Sequence, residues 1–357
     1  MSQKHLPALD GLRGIAALIV VVSHYSNATG LFGGILGWGG GQTGVMLFFV
    51  LAGYLMTHLH IGEQFTASNV GSYTIKRIAR IYPFFVIVAA LPSLLLFLEF
   101  PGAVAMGDIN SVSVYLRQIL LLDKGSGVFW TIQIEVMFYV VFVGIWAMHR
   151  VLNRPVVTLL FVLGALAGLG LQGFKFDIQF FSFVHYFLIG VASALLVQVV
   201  VVNSYRSIYL SVVAVLLLIS LPFTFPKIFV LLTGEVILSW SSIVMLVQIT
   251  LLFNFVLRDR RFLQGFLSSR LLVWVGKVSY SIYLLHCFIL FPLVSWTKPS
   301  DNFALNFTIF IVAVLAISGL SHKYLERPIQ RITLTLPILV SRTFSRSSAP
   351  MDVRPTK

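Results

Sequence analysis

Apolar runs about as long as a membrane-crossing helix recur from one end of this chain to the other, and they constrain its fold more than any other feature. A spanning helix needs about 20 mostly apolar residues to cross a hydrocarbon core of about 30 Å, and it is a helix because in lipid every backbone N–H and C=O must find its partner within the segment. Such runs lie near Leu12–Ala28, Thr43–His60, Arg80–Glu99, Thr131–Met148, Val156–Gln172, Phe180–Val201, Ile208–Thr224, Glu235–Leu257, Lys277–Trp296 and Phe303–His322. The composition, 58% hydrophobic and 10% charged, excludes a water-soluble enzyme, whose charged fraction is usually about 25%. The expected fold is all-α: a polytopic membrane helix bundle of about ten transmembrane helices.

A net charge of +13 would suggest nucleic acid in a soluble chain. Here the cations lie between apolar runs, where the positive-inside rule accounts for them. With a cytoplasmic N-terminus, only Arg117, Lys124, Lys175, Lys227 and Lys298 fall outside. Inside fall Lys4, Arg13, Lys76, Arg77, Arg80, Arg150, Arg154, Arg206, Arg258, Arg260, Arg261, Arg270, Lys277 and every cation after His322. Both termini are therefore expected in the cytoplasm, with membrane lipid and not nucleic acid as the surrounding partner. Residues 1–334 form the expected transmembrane domain, and 335–357, with scattered Ser, Arg and Pro and little apolar content, a disordered cytoplasmic tail. The first run carries His24, which a cleaved secretory signal is not expected to hold. Lys227–Thr233 extends the eighth span or forms a re-entrant piece, and Val112–Leu122 is expected along the interface. The single cysteine, Cys287, allows no disulfide within the chain and no Cys-based zinc site; no metal is expected.

Ionisable side chains within spans are costly and mark functional candidates. Arg13 and His24 are separated by three helical turns at about 100° per residue, so they share one face of the first helix. At about 1.5 Å per residue they stand about 16 Å apart along its axis, Arg13 at the cytoplasmic rim and His24 in the outer half. Lys76, Arg77 and Arg80 stand at the start of the third span, level with Arg13. Glu135 enters from the other side, about 6 Å below the outer boundary, at a depth where it can meet His24 if their helices are neighbours. Each has a plainer reading: the rim arginines as topological anchors on lipid phosphates, and His24, His185 and His286 as helix-packing residues. Together they describe a cationic mouth inside, a histidine farther along the same stripe, and a carboxylate entering from outside.

Six segments in chain order resemble the acyltransferase-3 family of integral membrane acyltransferases. Leu9-Asp10-Gly11-Leu12-Arg13-Gly14 with His24 is similar to its opening, and Gly41 to Leu55 to its glycine-rich second helix. Lys76-Arg77-Ile78-Ala79-Arg80-Ile81-Tyr82-Pro83 resembles its basic third-helix start, and Trp130 to Glu135 with Phe138-Tyr139 its Trp and Glu element. Gly276 to His286 and Tyr324-Leu325-Glu326-Arg327-Pro328 are similar to its last two signatures. Met46 stands where the family often has Asp, and Ala52 where it usually has Ser. No appended extracytoplasmic hydrolase-like domain of the kind some longer members carry is expected.

The resemblance implies a multi-pass enzyme of the bacterial cytoplasmic (inner) membrane that uses acetyl-CoA, or another acyl-CoA, as donor substrate, with no permanently bound cofactor. It implies acyl transfer to a hydroxyl of an outward-facing glycan or lipid-linked glycan such as O-antigen or exopolysaccharide. Arg13 and His24 then correspond to the family's essential pair. On chemical grounds Arg13, Arg77 and Arg80 suit the phosphates of CoA. His24, whose unperturbed pKa is about 6.5, suits a general base, with Glu135 orienting its imidazole. Two other classes compete. A proton-coupled transporter also needs intramembrane His and Glu, but paired interrupted helices in two corresponding halves are not seen in the sequence; a membrane scaffold has no need of the Arg13–His24 stripe.

Overall fold

The computed structural model describes residues 6–37, 39–99, 111–122, 125, 127–171, 179–199, 208–220, 242–258, 263–297 and 302–335. Among them every regular element is helical: α1 Pro7–Thr29, α2 Gly40–His60, α3 Ala67–Ala89, α4 Leu91–Phe97, α5 Val112–Ile119, α6 Trp130–Leu152, α7 Pro155–Leu171, α8 Val184–Val199, α9 Ile208–Ser220, α10 Ile243–Arg258, α11 Leu263–Leu267, α12 Arg270–Trp296 and α13 Phe303–Ser321. The described parts of the apolar runs named above are helical, with Arg80–Glu99 divided between α3 and α4. Six described segments are long and apolar enough to cross a membrane: Pro7–Thr29, Gly40–His60, Ala67–Phe97, Trp130–Leu152, Arg270–Trp296 and Phe303–Thr335. Pro155–Leu171, Val184–Val199 and Ile243–Arg258 are shorter apolar helices. The segment Lys227–Thr233 and the tail beyond residue 335 lie outside the described residues.

The largest shift of a helix start from the sequence reading is in the third helix. The third helix does not begin near Arg80; it begins at Ala67, where the Thr66 hydroxyl accepts from the Asn69 amide and caps the helix. Arg77 and Arg80 therefore sit well inside a continuous helix, Arg80 about 20 Å from its start at about 1.5 Å per residue. The short α5 packs on this helix. Tyr115 donates to the carbonyl of Val86, and Tyr82 donates to that of Ile119, while Val112 and Leu116 stay exposed on its other face.

Close approach of α1 to α12 organises the site. A Cβ placed on Gly14 would sit 2.7 Å from the carbonyl oxygen of Leu272, and one on Gly276 would collide with the carbonyl of Asp10. Small residues at such crossings let two backbones touch where lipid offers no hydrophobic drive for association. Farther along both helices, beyond the Gly14–Gly276 crossing, His24 meets His286, so α1 and α12 run parallel. The helix α2 runs antiparallel to α1, with Gly44 against Ala16 and Gly41 against Ser23.

An aromatic core fills the opposite side. Phe187 of α8 stacks between Phe49 of α2 at 4.5 Å and Phe138 of α6 at 4.2 Å. Tyr73 and Trp146 lie fully buried, and the Trp146 indole donates to the Glu63 carbonyl. Outside, Val140, Leu160, Phe161, Leu171, Val312 and Leu320 remain exposed; on helices this apolar, such a surface belongs against lipid. At the closing signature, the chain forms a π-helical turn at His322–Glu326. It buries Glu326, whose carboxylate accepts from the Ser281 hydroxyl of α12 at 2.6 Å and pairs with His322 at 2.9 Å.

Candidate active site

Five helices converge on one elongated cavity of about 180 Å³. Its walls carry Arg13 from α1, Arg77 and Arg80 from α3, Glu135 from α6, Tyr280 and Tyr283 from α12, and the apolar face of α2 from Val45 to Leu59. That stretch of α2 is about 21 Å long at about 1.5 Å per residue, so the cavity is a shaft running down the bundle. All three arginines named from the sequence are brought together here.

Their fixed partners leave donors to spare. Arg13 pairs with Asp10 at 3.0 Å on its own helix. Arg77 reaches the His60 imidazole at 3.5 Å, and its guanidinium lies 5.7 Å from the centre of the Tyr73 ring. Its Nε is buried without a hydrogen-bond partner. Among the described residues, Arg80 makes no hydrogen bond or ion pair while it lines the shaft. A guanidinium presents five N–H donors in a fixed fork, and the buried Nε of Arg77 is a donor that a phosphate oxygen would satisfy.

Depth along the sequence lets Glu135 meet His24 if their helices are neighbours, and its surroundings here are different. It faces the shaft with the arginines, and its carboxylate accepts from the Tyr139 hydroxyl at 2.7 Å. No hydrogen bond or ion pair joins it to His24 among the described residues. Its hydrogen-bond partner is Tyr139 of its own helix, and it shares the shaft wall with Arg13, Arg77 and Arg80. His24 lies at the other end of the Arg13 stripe, between two cavities of about 320 and 410 Å³. The larger is walled by Gln42, Gly127, Trp130, Gln179 and Phe183, the smaller by Phe129, Cys287 and Phe291.

Val45 and Tyr283 line both the shaft and the larger of these cavities. Between the two spaces the Tyr283 hydroxyl donates to the Val128 carbonyl at 3.1 Å and accepts from Thr131 at 3.2 Å. His24 Nδ1 is 2.6 Å from His286 Nε2, with the rings stacked at 4.9 Å. Cys287 Sγ lies 3.4 Å from His286 Nε2, and the ligating atoms of His24, His286 and Cys287 all lie within 4.8 Å of one another, a metal-binding type of cluster. Neither the tyrosine gate nor the histidine pair was singled out from sequence. The spacing of Ser279, Tyr283 and His286, four residues and then three, already put them on one face of α12.

The acyltransferase domain family matches residues 6–322. The chain belongs to this family. Over 92% of its length this acyltransferase-family chain is 25% identical to O-acetyltransferase OatA of Staphylococcus aureus strain NCTC 8325, covering 58% of that protein. It is equally 25% identical over 92% of its length to the putative O-acetyltransferase SACOL0978 of strain COL, again covering 58% of the relative. The chain thus spans well under two thirds of the curated relatives it matches. No solved structure matches it.

Proposed function

We propose that this member of the acyltransferase family is a membrane O-acetyltransferase that moves an acetyl group from cytoplasmic acetyl-CoA to a hydroxyl of an outward-facing glycan. One observation carries the reading: an arginine-lined shaft abuts, across Tyr283 and Val45, a separate cavity that holds His24. In this reading ten spans place both termini in the cytoplasm. The parallel course of α1 and α12 supports it, since two spans of the same direction are separated by an odd number of crossings.

The phosphates of CoA sit on Arg13, Arg77 and Arg80, and its flexible arm follows the apolar face of α2 up the shaft. The thioester then reaches the Tyr283 constriction, where the acceptor hydroxyl arrives from the other cavity. The hydroxyl oxygen attacks the thioester carbon and its proton passes to His24. The C–S bond breaks, and the proton passes on to the departing sulfur, giving an ester and CoA thiol. Glu135 offsets the arginine charge in the empty shaft instead of orienting the base. Nothing in this arrangement favours the transporter reading.

The test uses full-length protein in lipid nanodiscs with labelled acetyl-CoA and a crude surface-glycan fraction. Label should move to glycan, and His24→Ala should lower the rate by about 10²- to 10⁴-fold while still binding acetyl-CoA. Near-normal transfer by a folded His24→Ala variant overturns the assignment of the base. Flux of a solute without acylation overturns the reaction.

A further inference from the structure

His286 is fully buried on α12, and its Nδ1 lies 2.8 Å from the carbonyl oxygen of Tyr283 and 3.1 Å from that of Ile282. Carbonyl oxygens only accept, so Nδ1 of His286 carries the proton. In the neutral ring Nε2 then has the lone pair. That nitrogen is the atom 2.6 Å from His24 Nδ1, which must therefore be the donor. The consequence reaches the second ring: His24 is held as its Nδ1–H tautomer, with the lone pair on Nε2, the nitrogen without a protein partner among the described residues.

We propose that His286 is a positioning residue that fixes the tautomer and orientation of His24, so that Nε2 of His24 is the basic atom presented to the acceptor hydroxyl. The proposal rests on the reading of His24 as the general base and adds the atom and its support. An acidic partner holds the histidine of a Ser-His-Asp triad in the same way. Here a neutral imidazole does the work, backed by two helix carbonyls that cannot rotate. When His24 takes the hydroxyl proton at Nε2, its Nδ1–H still points at the lone pair of His286. The charged ring thus keeps its partner without any rearrangement. The crossing at Gly14 and Gly276 sets this register, because it brings α1 and α12 to backbone contact on the side where the two rings meet.

A shared metal ion fits less well. Two ring nitrogens on one tetrahedral ion at about 2.0–2.1 Å each stand about 3.3 Å apart, whereas these two are 2.6 Å apart, at hydrogen-bond distance.

The experiment combines histidine-selective ¹⁵N NMR of the full-length protein in nanodiscs with acetyl transfer from acetyl-CoA to the crude glycan fraction. The His24 signals are assigned by their loss in His24→Ala. Wild type should show His24 as the Nδ1–H tautomer. His286→Leu removes the acceptor, so His24 should move to the Nε2–H tautomer preferred by free imidazole, and kcat should fall about 10²-fold or more, with KM for acetyl-CoA within about threefold. In His286→Gln the amide oxygen can accept from Nδ1–H, so this variant should keep the tautomer and recover at least about tenfold of the loss. An Nε2–H tautomer in wild type, wild-type kcat in a folded His286→Leu, or stoichiometric zinc in the purified protein overturns the proposal. Should His24→Ala transfer normally while the wild-type tautomer is as expected, the general-base reading fails and the positioning geometry stands.

Discussion

Replacing Arg77 by alanine tests the proposal that the shaft holds acetyl-CoA. Arg77 has one long hydrogen bond, to His60 at 3.5 Å, a contact with the Tyr73 ring and a buried Nε with no hydrogen bond, so little internal structure is lost with it. A phosphate that docks here gains charge-assisted hydrogen bonds, each worth about 1.5–3 kcal/mol. Loss of one such bond raises the dissociation constant about 10- to 100-fold, since about 1.4 kcal/mol is a factor of ten. Isothermal titration of acetyl-CoA into nanodisc-embedded protein at fixed salt reads this directly. Arg77→Lys should recover only part of the loss, because an ammonium is a point charge and cannot bind two phosphate oxygens with a planar fork. Dephospho-CoA and CoA compared on the same variants show which phosphate the residue holds. Unchanged affinity in Arg77→Ala, Arg80→Ala and Arg13→Ala alike would return the cluster to the role of topological anchors and empty the shaft of its purpose.

Glu135→Gln removes a negative charge that faces the same arginines, so acetyl-CoA should bind severalfold more tightly, by Coulomb's law between the carboxylate and the donor's phosphates. The pH midpoint of transfer should not move, and a shifted midpoint would put Glu135 back on His24. Gly276→Val should lower thermal stability, because overpacking costs about 1–3 kcal/mol, and should abolish transfer by forcing α12 away from α1; a variant with wild-type melting and activity would contradict the contact with Asp10. Topology reporters placed after Lys357 and between Arg258 and Arg270 should read cytoplasmic, and one near Asp108 should read outside. A periplasmic reading after Lys357 would remove the ten-span arrangement.

Helix positions were legible wherever apolar runs are uninterrupted, as in α1, α2 and α6. The start of α3 was not, because Ser72, Thr74, Lys76 and Arg77 lower the hydropathy of its first half. The cap signal at Thr66 and Asn69 was present, but a window tuned to apolar length passes over it. Periodicity put Arg13 and His24 on one stripe, and the structure keeps both on cavities, one at each end. Which helices become neighbours is another kind of information. Glu135 and His24 have compatible depths on paper, yet the first bonds Tyr139 of its own helix and the second His286 of α12. The pairing of His24 with His286 was within reach only after the glycines of the first and penultimate signatures were seen to face each other. Met46, at a position where the family often has an acid, is fully buried in the apolar core, and Ala52 lines the shaft as a small apolar wall. No polar role is left to either.

The seam between α1 and α12 also bears on biogenesis. Its two histidines are 262 residues apart in the chain. At synthesis rates of about 5–20 residues per second, roughly 13 to 52 s separate the insertion of one from the other. For that interval the first helix must wait in the bilayer with His24 unpaired and its glycine face uncovered. The interval invites a membrane chaperone or a temporary partner helix, and it makes the centre of the helix bundle one of the last parts to assemble. Truncated or stalled chains that lack α12 should therefore insert without acquiring activity, and mutations along the glycine face should act on yield before they act on turnover.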